Sequence, residues 1–107
     1  MQTITRNTAE ELAERYFLDC RIHLDHDRSI GLIDEERWSE EIAGLAAAMR
    51  FWARACGADS YNDWHAGRIV RKPSVEALRK GRRALEGCTP EVRASRVLRL
   101  LEEVWDA

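Results

Sequence analysis

The chain has few of the features that mark a membrane-bound or secreted protein. No apolar run reaches the roughly 18 residues of a membrane-spanning helix, and the opening MQTITRNTAEELAERY lacks the basic start and apolar middle of a signal peptide. Cys20, Cys56 and Cys88 are odd in number and widely spaced, which argues against a disulfide framework. These absences predict a protein of a reducing cytoplasm, and the scarcity of lysine, two among 17 basic residues, is typical of a GC-rich bacterial or phage gene.

Loop-forming residues are also scarce. The 107 residues include two prolines and six glycines, and 45% are hydrophobic, so little chain is left for long loops. No segment alternates apolar and polar residues as a half-buried strand does. We therefore expect an all-α protein, a single domain over residues 1–107, folded as a bundle of four to five helices.

The helix boundaries follow from caps and stops. Thr8 and Asp34 are candidate N-caps of the first two helices, and Gly31 and Gly57 are their stops. The predicted helices are Thr8–Arg28, a second from Asp34 to Cys56, a short one within 58–66 capped by Ser60, Ser74–Glu86, and a last one that opens at Thr89-Pro90-Glu91 and runs to Trp105.

The second helix carries an apolar seam. Its members are spaced by four, three, four, three and four residues, which is the heptad pattern. They are Trp38, Ile42, Leu45, Met49, Trp52 and Cys56. Such a seam is most often the central helix of a bundle, but it could also form a homodimer through a coiled coil, and the spacing leaves both alternatives open.

The stretch DCRIHLDHDRSIG, residues 19–31, raises the question of a metal site. On a helical wheel the first helix has an apolar core face, made of Ala9, Leu12, Ala13, Tyr16, Phe17, Cys20 and Leu24. Asp19, His23 and His26 share one strip beside that face. Cys20 and His26 are about 9 Å apart along the axis, too far for one ion to bind both. His65 is the remaining histidine. We expect no metal site and no cofactor.

Acid–base catalysis is the second interpretation of this stretch. A carboxylate four residues away, Asp19 or Asp27, would raise the pKa of His23. The chain has no Gly-rich phosphate loop, no Gly-x-Ser-x-Gly and no His-Glu-x-x-His. We expect a protein that is not an enzyme, with His23 at the edge of the core, His26 in water, and both hydrogen-bonded to nearby acids.

Charge is strongly segregated along the chain. Residues 1–66 carry 7 basic and 13 acidic side chains, residues 67–83 carry 7 and 1, and residues 84–107 carry 3 and 5. The net charges are −6, +6 and −2, which sum to the −2 of the whole chain. A near-neutral total thus conceals an acidic half and one basic segment.

The basic segment spans residues 68–83 and has two interpretations. Its cations could neutralise phosphates of a nucleic acid, or they could pair internally with the acidic first and second helices. The candidate residues are Arg68, Arg71, Lys72, Arg79, Arg82 and Arg83.

The acidic residues cluster around the junction of the first two helices. They could form a plain solvated face, or they could contact an arginine-rich surface of a partner, including one that normally holds nucleic acid. The candidate partner-binding residues are Asp25, Asp27, Asp34, Glu35 and Glu36.

The stretch YFLDCRIHLDHDRSIGLIDEE, residues 16–36, resembles the openings of small proteins from phages and mobile elements. The whole chain is similar in style to helical anti-CRISPR proteins. That resemblance implies an inhibitor that binds a bacterial defence complex, a protein or ribonucleoprotein, and blocks nucleic-acid access or nuclease recruitment. The alternative is a nucleic-acid-binding or transcription-regulatory protein that uses residues 68–83.

Overall fold

The computed structural model describes residues 6–67, 73–87 and 91–106. Within these ranges lie five helices: α1 (Arg6–Ser29), α2 (Glu35–Ala55), α3 (Tyr61–His65), α4 (Val75–Glu86) and α5 (Ala94–Asp106). The described residues contain no strand. The predicted all-α bundle is therefore confirmed.

Side-chain caps start three of these helices, at the places where the sequence predicted a start. Asp34 accepts a hydrogen bond from the backbone N–H of Arg37, and Ser60 and Ser74 do the same at the next two helices. Each cap satisfies one of the backbone donors that a helix leaves unpaired in its first turn. At the other end of α2, Gly57 adopts the left-handed conformation, with φ of +85°, which ends the helix.

The first and last helices begin elsewhere than predicted. α1 is already helical at Arg6, the first described residue, so the helix runs through the predicted cap Thr8. α5 begins at Ala94, after the predicted start at Pro90; Thr89 and Pro90 lie outside the described residues. The delay has a physical cause: the Arg93 N–H donates to a side chain of α2, which holds this turn against α2.

α2 runs through the middle of the core. Trp52 is fully buried, with its ring 5.7 Å from that of Trp64 and 5.2 Å from that of Trp105. α1 contributes the face predicted from its wheel, since Ala13, Phe17, Cys20 and Leu24 are all buried. α4 and α5 close the other side with Leu78, Leu85, Val97, Leu98 and Leu101.

The heptad seam of α2 packs inside the chain. Leu45, Trp52 and Cys56 belong to the buried core, and Trp38, Ile42 and Met49 pack against it while partly exposed. This packing favours the intramolecular alternative that the spacing had left open. A homodimer through the same seam stays a prediction. No helix in the described part of the chain is both long and apolar enough to cross a membrane.

Candidate functional site

The turn between α1 and α2 is fixed by backbone hydrogen bonds. Gly31, with φ of +76°, donates to the carbonyl of Arg28 at 3.2 Å, and Leu32 donates to the carbonyl of Asp27 at 2.9 Å. This pair of bonds is the Schellman pattern, in which a left-handed glycine closes the last helical turn. The turn is therefore a rigid element with a defined shape.

Two aliphatic side chains on this turn face water. Ile30 is 60% exposed and Leu32 is 67% exposed, the highest exposure of any large hydrophobic side chain in the described residues. In a Schellman motif the residue after the glycine usually contacts an apolar side chain five or six positions earlier. Here those positions are His26 and Asp27, so Leu32 has no apolar partner there.

Two of the five predicted acids accept hydrogen bonds from other side chains of the protein. Asp25 accepts hydrogen bonds from Arg21 and from the Trp38 indole, which together hold the pKa of its carboxyl below the usual range, with Arg21 the larger cause. Asp27 accepts a hydrogen bond from Arg93, 66 positions later, and ties α1 to the turn before α5. These two carboxylates link α1 to α2 and to the turn before α5.

The other three acids border the exposed turn. Asp34 caps α2, Glu35 lies 3.5 Å from Arg28 with most of its side chain in water, and Glu36 is exposed. We call Ile30, Leu32, Asp34, Glu35 and Glu36 the acidic turn. It combines two exposed aliphatic side chains with three acids that follow them along the chain, which we call its rim, and one of these acids, Glu35, pairs with Arg28.

A buried carboxylate lies beneath the neighbouring surface. Glu41 is 1% exposed, lies 2.6 Å from an Arg37 guanidinium nitrogen, and accepts the backbone N–H of Arg93 at 2.7 Å. Arg37 also donates to the carbonyl of Glu91 at 2.8 Å. This network fixes the turn before α5 against α2.

A groove of about 570 Å³ lies beside this network, between α1 and α5. It is lined by Tyr16, Cys20, His23, Asp27, Arg37, Glu91, Val92, Arg93, Arg96, Val97 and Leu100. Burial, followed by the charge of Glu41, raises the pKa of the Cys20 thiol to about 11. The thiol is therefore protonated at neutral pH and is a poor nucleophile.

The histidines of the opening stretch are not assembled into a site. His23 and His26 are both exposed, and neither imidazole bonds to a carboxylate of a described residue, so the expected hydrogen bonds to nearby acids are wrong. His65 lies by Glu14, where its Nδ1 is 2.6 Å from the carboxylate. The described residues contain no group of three histidine, cysteine or acidic side chains that could hold a metal ion.

The basic segment pairs internally in part, but with a different helix than predicted. Arg79 and Arg82 both contact the Glu102 carboxylate, at 2.7 and 3.1 Å. Glu102 belongs to α5, so these two ion pairs join α4 to α5. Arg83 is exposed. Arg68, Arg71 and Lys72 lie outside the described residues.

Sequence reasoning missed several exposed residues that bear on function. Ile30 and Leu32 were treated as part of a connecting turn, although two aliphatic side chains beside a stop glycine were a usable signal. Arg50 and Arg54 were missed because they lie in the half of the chain with a negative sum. Both are exposed on α2, four residues apart.

No family model matches the chain, and no curated protein and no solved structure matches it either. The functional argument therefore rests on the residues of this chain alone.

Proposed function

We propose that this protein acts without catalysis, by binding a macromolecular partner through the acidic turn. In its concrete form the proposal is a phage or mobile-element inhibitor of a CRISPR–Cas defence complex in the bacterial cytoplasm. The observation that carries the binding proposal is the exposure of Ile30 and Leu32 on a turn that is followed directly by three acids.

The acidic turn has the anatomy of a protein-binding site. Specific interfaces have an apolar centre that excludes water and a polar rim around it. Burying an exposed aliphatic side chain stabilises a complex by about 1.5–3 kcal/mol. Two such side chains are exposed here on one turn, at Ile30 and Leu32.

The backbone of the turn also favours binding. The Gly31 and Leu32 hydrogen bonds fix its conformation before any partner arrives. A preordered surface loses less conformational entropy on association than a flexible loop does. The site therefore needs little rearrangement to bind.

The charge of the rim indicates the chemistry of the partner. Glu35 and Glu36 are exposed, and three acids stand together from residue 34 to residue 36. A complementary surface would present a small apolar pocket ringed by arginine or lysine. The nucleic-acid-binding channel of a CRISPR effector complex is positively charged, and occupying it would block nucleic-acid access.

The candidate catalytic side chains are not arranged for acid–base chemistry. Asp27 bonds to Arg93, the Cys20 thiol is protonated, and His23 has no carboxylate partner among the described residues. These observations support a binding function over an acid–base mechanism.

A plasmid-interference assay tests the concrete form. Bacteria with an active CRISPR–Cas system receive a targeted plasmid in the presence of the wild-type protein or of one of two variants. Ile30→Asn with Leu32→Asn removes the apolar centre. Leu18→Asn with Ile22→Asn is the matched control, since these α1 side chains are 60% and 52% exposed.

We expect the wild-type protein and the control variant to restore transformation against at least one CRISPR–Cas type, and the turn variant to fail. Circular dichroism should show the same helix content in all three. Transformation that stays low with wild-type protein against every type would contradict the inhibitor proposal. Equal activity of the two variants would contradict the role of the turn.

A further inference from the structure

Four cations of α2 and α4 are exposed and unpaired within the described part of the chain. They are Arg50 and Arg54 on α2, and Lys80 and Arg83 on α4. None forms an ion pair with another described residue, in contrast to Arg79 and Arg82. We call these four residues the α2–α4 basic surface.

The packing of α4 on α2 places Arg50, Arg54 and Lys80 on the same side of the helix pair. The N–H of Ser74, at the start of α4, donates to the carbonyl of Ala55, at the end of α2. Further along, Gly81 packs against Phe51, so closely that a methyl group on Gly81 would lie 2.7 Å from the Phe51 Cβ. The two helices are therefore antiparallel neighbours.

In two antiparallel helices, residues displaced by the same rotation from the contact point lie on the same side of the pair. Arg50 and Lys80 each come one residue before the contact residues, a rotation of about 100°. Arg54 comes three residues after Phe51 and falls on that side as well. The opposite rotation leads to the buried side chains Trp52 and Leu78, so the cations face away from the core.

The surface around the cations carries small side chains. Its exposed members on α2 are alanines, Ala43 and Ala46, and α4 contributes Ala84. The sequence of α2 holds no acid after Glu41, and the exposed acid on α4 is Glu76, one turn before Lys80. Positive charge thus dominates a surface without protruding side chains other than the cations themselves.

We propose that the α2–α4 basic surface binds the phosphate backbone of a double-stranded nucleic acid. Arginine and lysine side chains that contact phosphates neutralise their charge without reading the bases. Binding of single strands usually relies on aromatic side chains that stack on bases. None of the large hydrophobic side chains exposed in the described residues is aromatic. A duplex is therefore the better fit.

This inference is independent of the acidic turn. The turn lies at the start of α2 and the cations at its end, so neither surface shares a residue with the other. Its test also needs no defence complex, since the probe is a labelled DNA duplex. Failure of one proposal leaves the other standing.

The test is fluorescence anisotropy of the purified protein with a labelled DNA duplex over a salt series. With four phosphate contacts, the logarithm of the binding constant should fall against the logarithm of the salt concentration with a slope no steeper than about −3.6, from roughly 0.9 per contact. The variant Arg50→Glu with Arg54→Glu should lose at least about tenfold in affinity, and its salt slope should become shallower by roughly 1.8.

The matched control is Arg15→Glu with Arg96→Glu. Both arginines are exposed, on α1 and α5, and either double reversal changes the net charge from −2 to −6. We expect the control to keep most of the duplex affinity. Arg50→Ala with Arg54→Ala keeps the test decisive if the reversal disturbs folding, because alanine favours the helix.

The proposal would be overturned by a flat salt response, by equal losses in the two charge-matched variants, or by binding confined to single strands. Equal affinity for poly-glutamate would also overturn it, because the surface would then be a general binder of acidic chains. A loss confined to the Arg50 and Arg54 variants, together with the steep slope, would support it.

Discussion

At the scale of single residues, one buried carboxylate organises the surface beside the groove. Glu41 accepts the Arg93 N–H and lies against the Arg37 guanidinium, and Arg37 reaches on to the carbonyl of Glu91. A charge buried to this degree is stable only when it is paired, because its desolvation is costly. The network therefore fixes where the turn before α5 can lie.

Replacing Glu41 tests this role. Glu41→Gln removes the charge opposite Arg37 and weakens the bond to the Arg93 N–H. We expect the free energy of unfolding to fall by about 2–3 kcal/mol, measured by urea denaturation. Glu40→Gln is the control: Glu40 lies 3.6 Å from the same arginine but is exposed, so its loss should cost at most about 1 kcal/mol. Similar losses in both variants would contradict the account.

The buried thiols make a prediction about pH. Burial raises the pKa of Cys20 to about 11 and that of Cys56 to about 12, from a usual value near 9. A folded pKa above the unfolded one contributes stability that is complete below about pH 9 and is lost as the pH rises towards 11 and 12. The free energy of unfolding should therefore fall above about pH 9.

An alkaline titration of stability checks this prediction, in a Cys88→Ser background so that Cys20 and Cys56 are the thiols that report. Burial also raises the pKa of the Tyr61 hydroxyl to about 12, so Tyr61 adds to the fall above about pH 10. Replacing both cysteines with alanine should flatten the fall between pH 9 and 11. The native thiols should also resist a thiol reagent at neutral pH and react once urea unfolds the protein. Rapid reaction in the native state would show that they are accessible and would refute the assignment.

Single-residue contacts were the least predictable part of the molecule. The wheel of α1 correctly placed Cys20 and Leu24 in the core, because an amphipathic period reports burial directly. It could not show that Asp27 would meet Arg93, since that pair joins residues 66 positions apart. Asp25 and Asp27 therefore looked available for a partner, although both are bound within the chain.

At the scale of elements, the helices could be predicted because each signal for them is local. Asp34, Ser60 and Ser74 start their helices through a bond to a backbone N–H three residues on. The predicted start of α5 was wrong because a long-range contact, from the Arg93 N–H to Glu41, competes with the local signal of Pro90. The predicted internal partners of the α4 arginines, the first and second helices, were also wrong, because the contact of Arg79 and Arg82 with Glu102 is long-range as well.

The crossing of α2 and α4 depends on a glycine. In isolation a helical glycine is a weak point, and alanine would stabilise the helix by about 1 kcal/mol. At Gly81 an added methyl would lie 2.7 Å from the Cβ and Cγ of Phe51. We expect Gly81→Ala to lower the free energy of unfolding by about 1–3 kcal/mol, because overpacking outweighs propensity.

Gly87→Ala is the matched control for this substitution. Its φ is −70°, and an added methyl would meet its nearest neighbour at 3.4 Å, against 2.7 Å at Gly81. We expect a change within about 0.5 kcal/mol in urea denaturation. Stabilisation by Gly81→Ala would mean that α2 and α4 are not in the close contact described.

At the scale of the whole molecule, the two proposed surfaces lie at opposite ends of α2. Glu36 and Arg54 are separated by 18 helical residues, or roughly 27 Å, in a molecule whose longest dimension is 41 Å. The net charge of −2 hides this separation. A ribonucleoprotein partner would offer both a protein surface and a nucleic-acid backbone, so one complex could occupy both ends.

The most direct measurement of the central claim is quantitative affinity capture from nuclease-treated host lysate. Three baits are compared by mass spectrometry: wild-type protein, the Ile30→Asn and Leu32→Asn variant, and the Leu18→Asn and Ile22→Asn control. The account predicts a stoichiometric protein complex on the wild-type and control baits that is absent from the turn variant. The same proteins on all three baits, or none that survives nuclease, would contradict it.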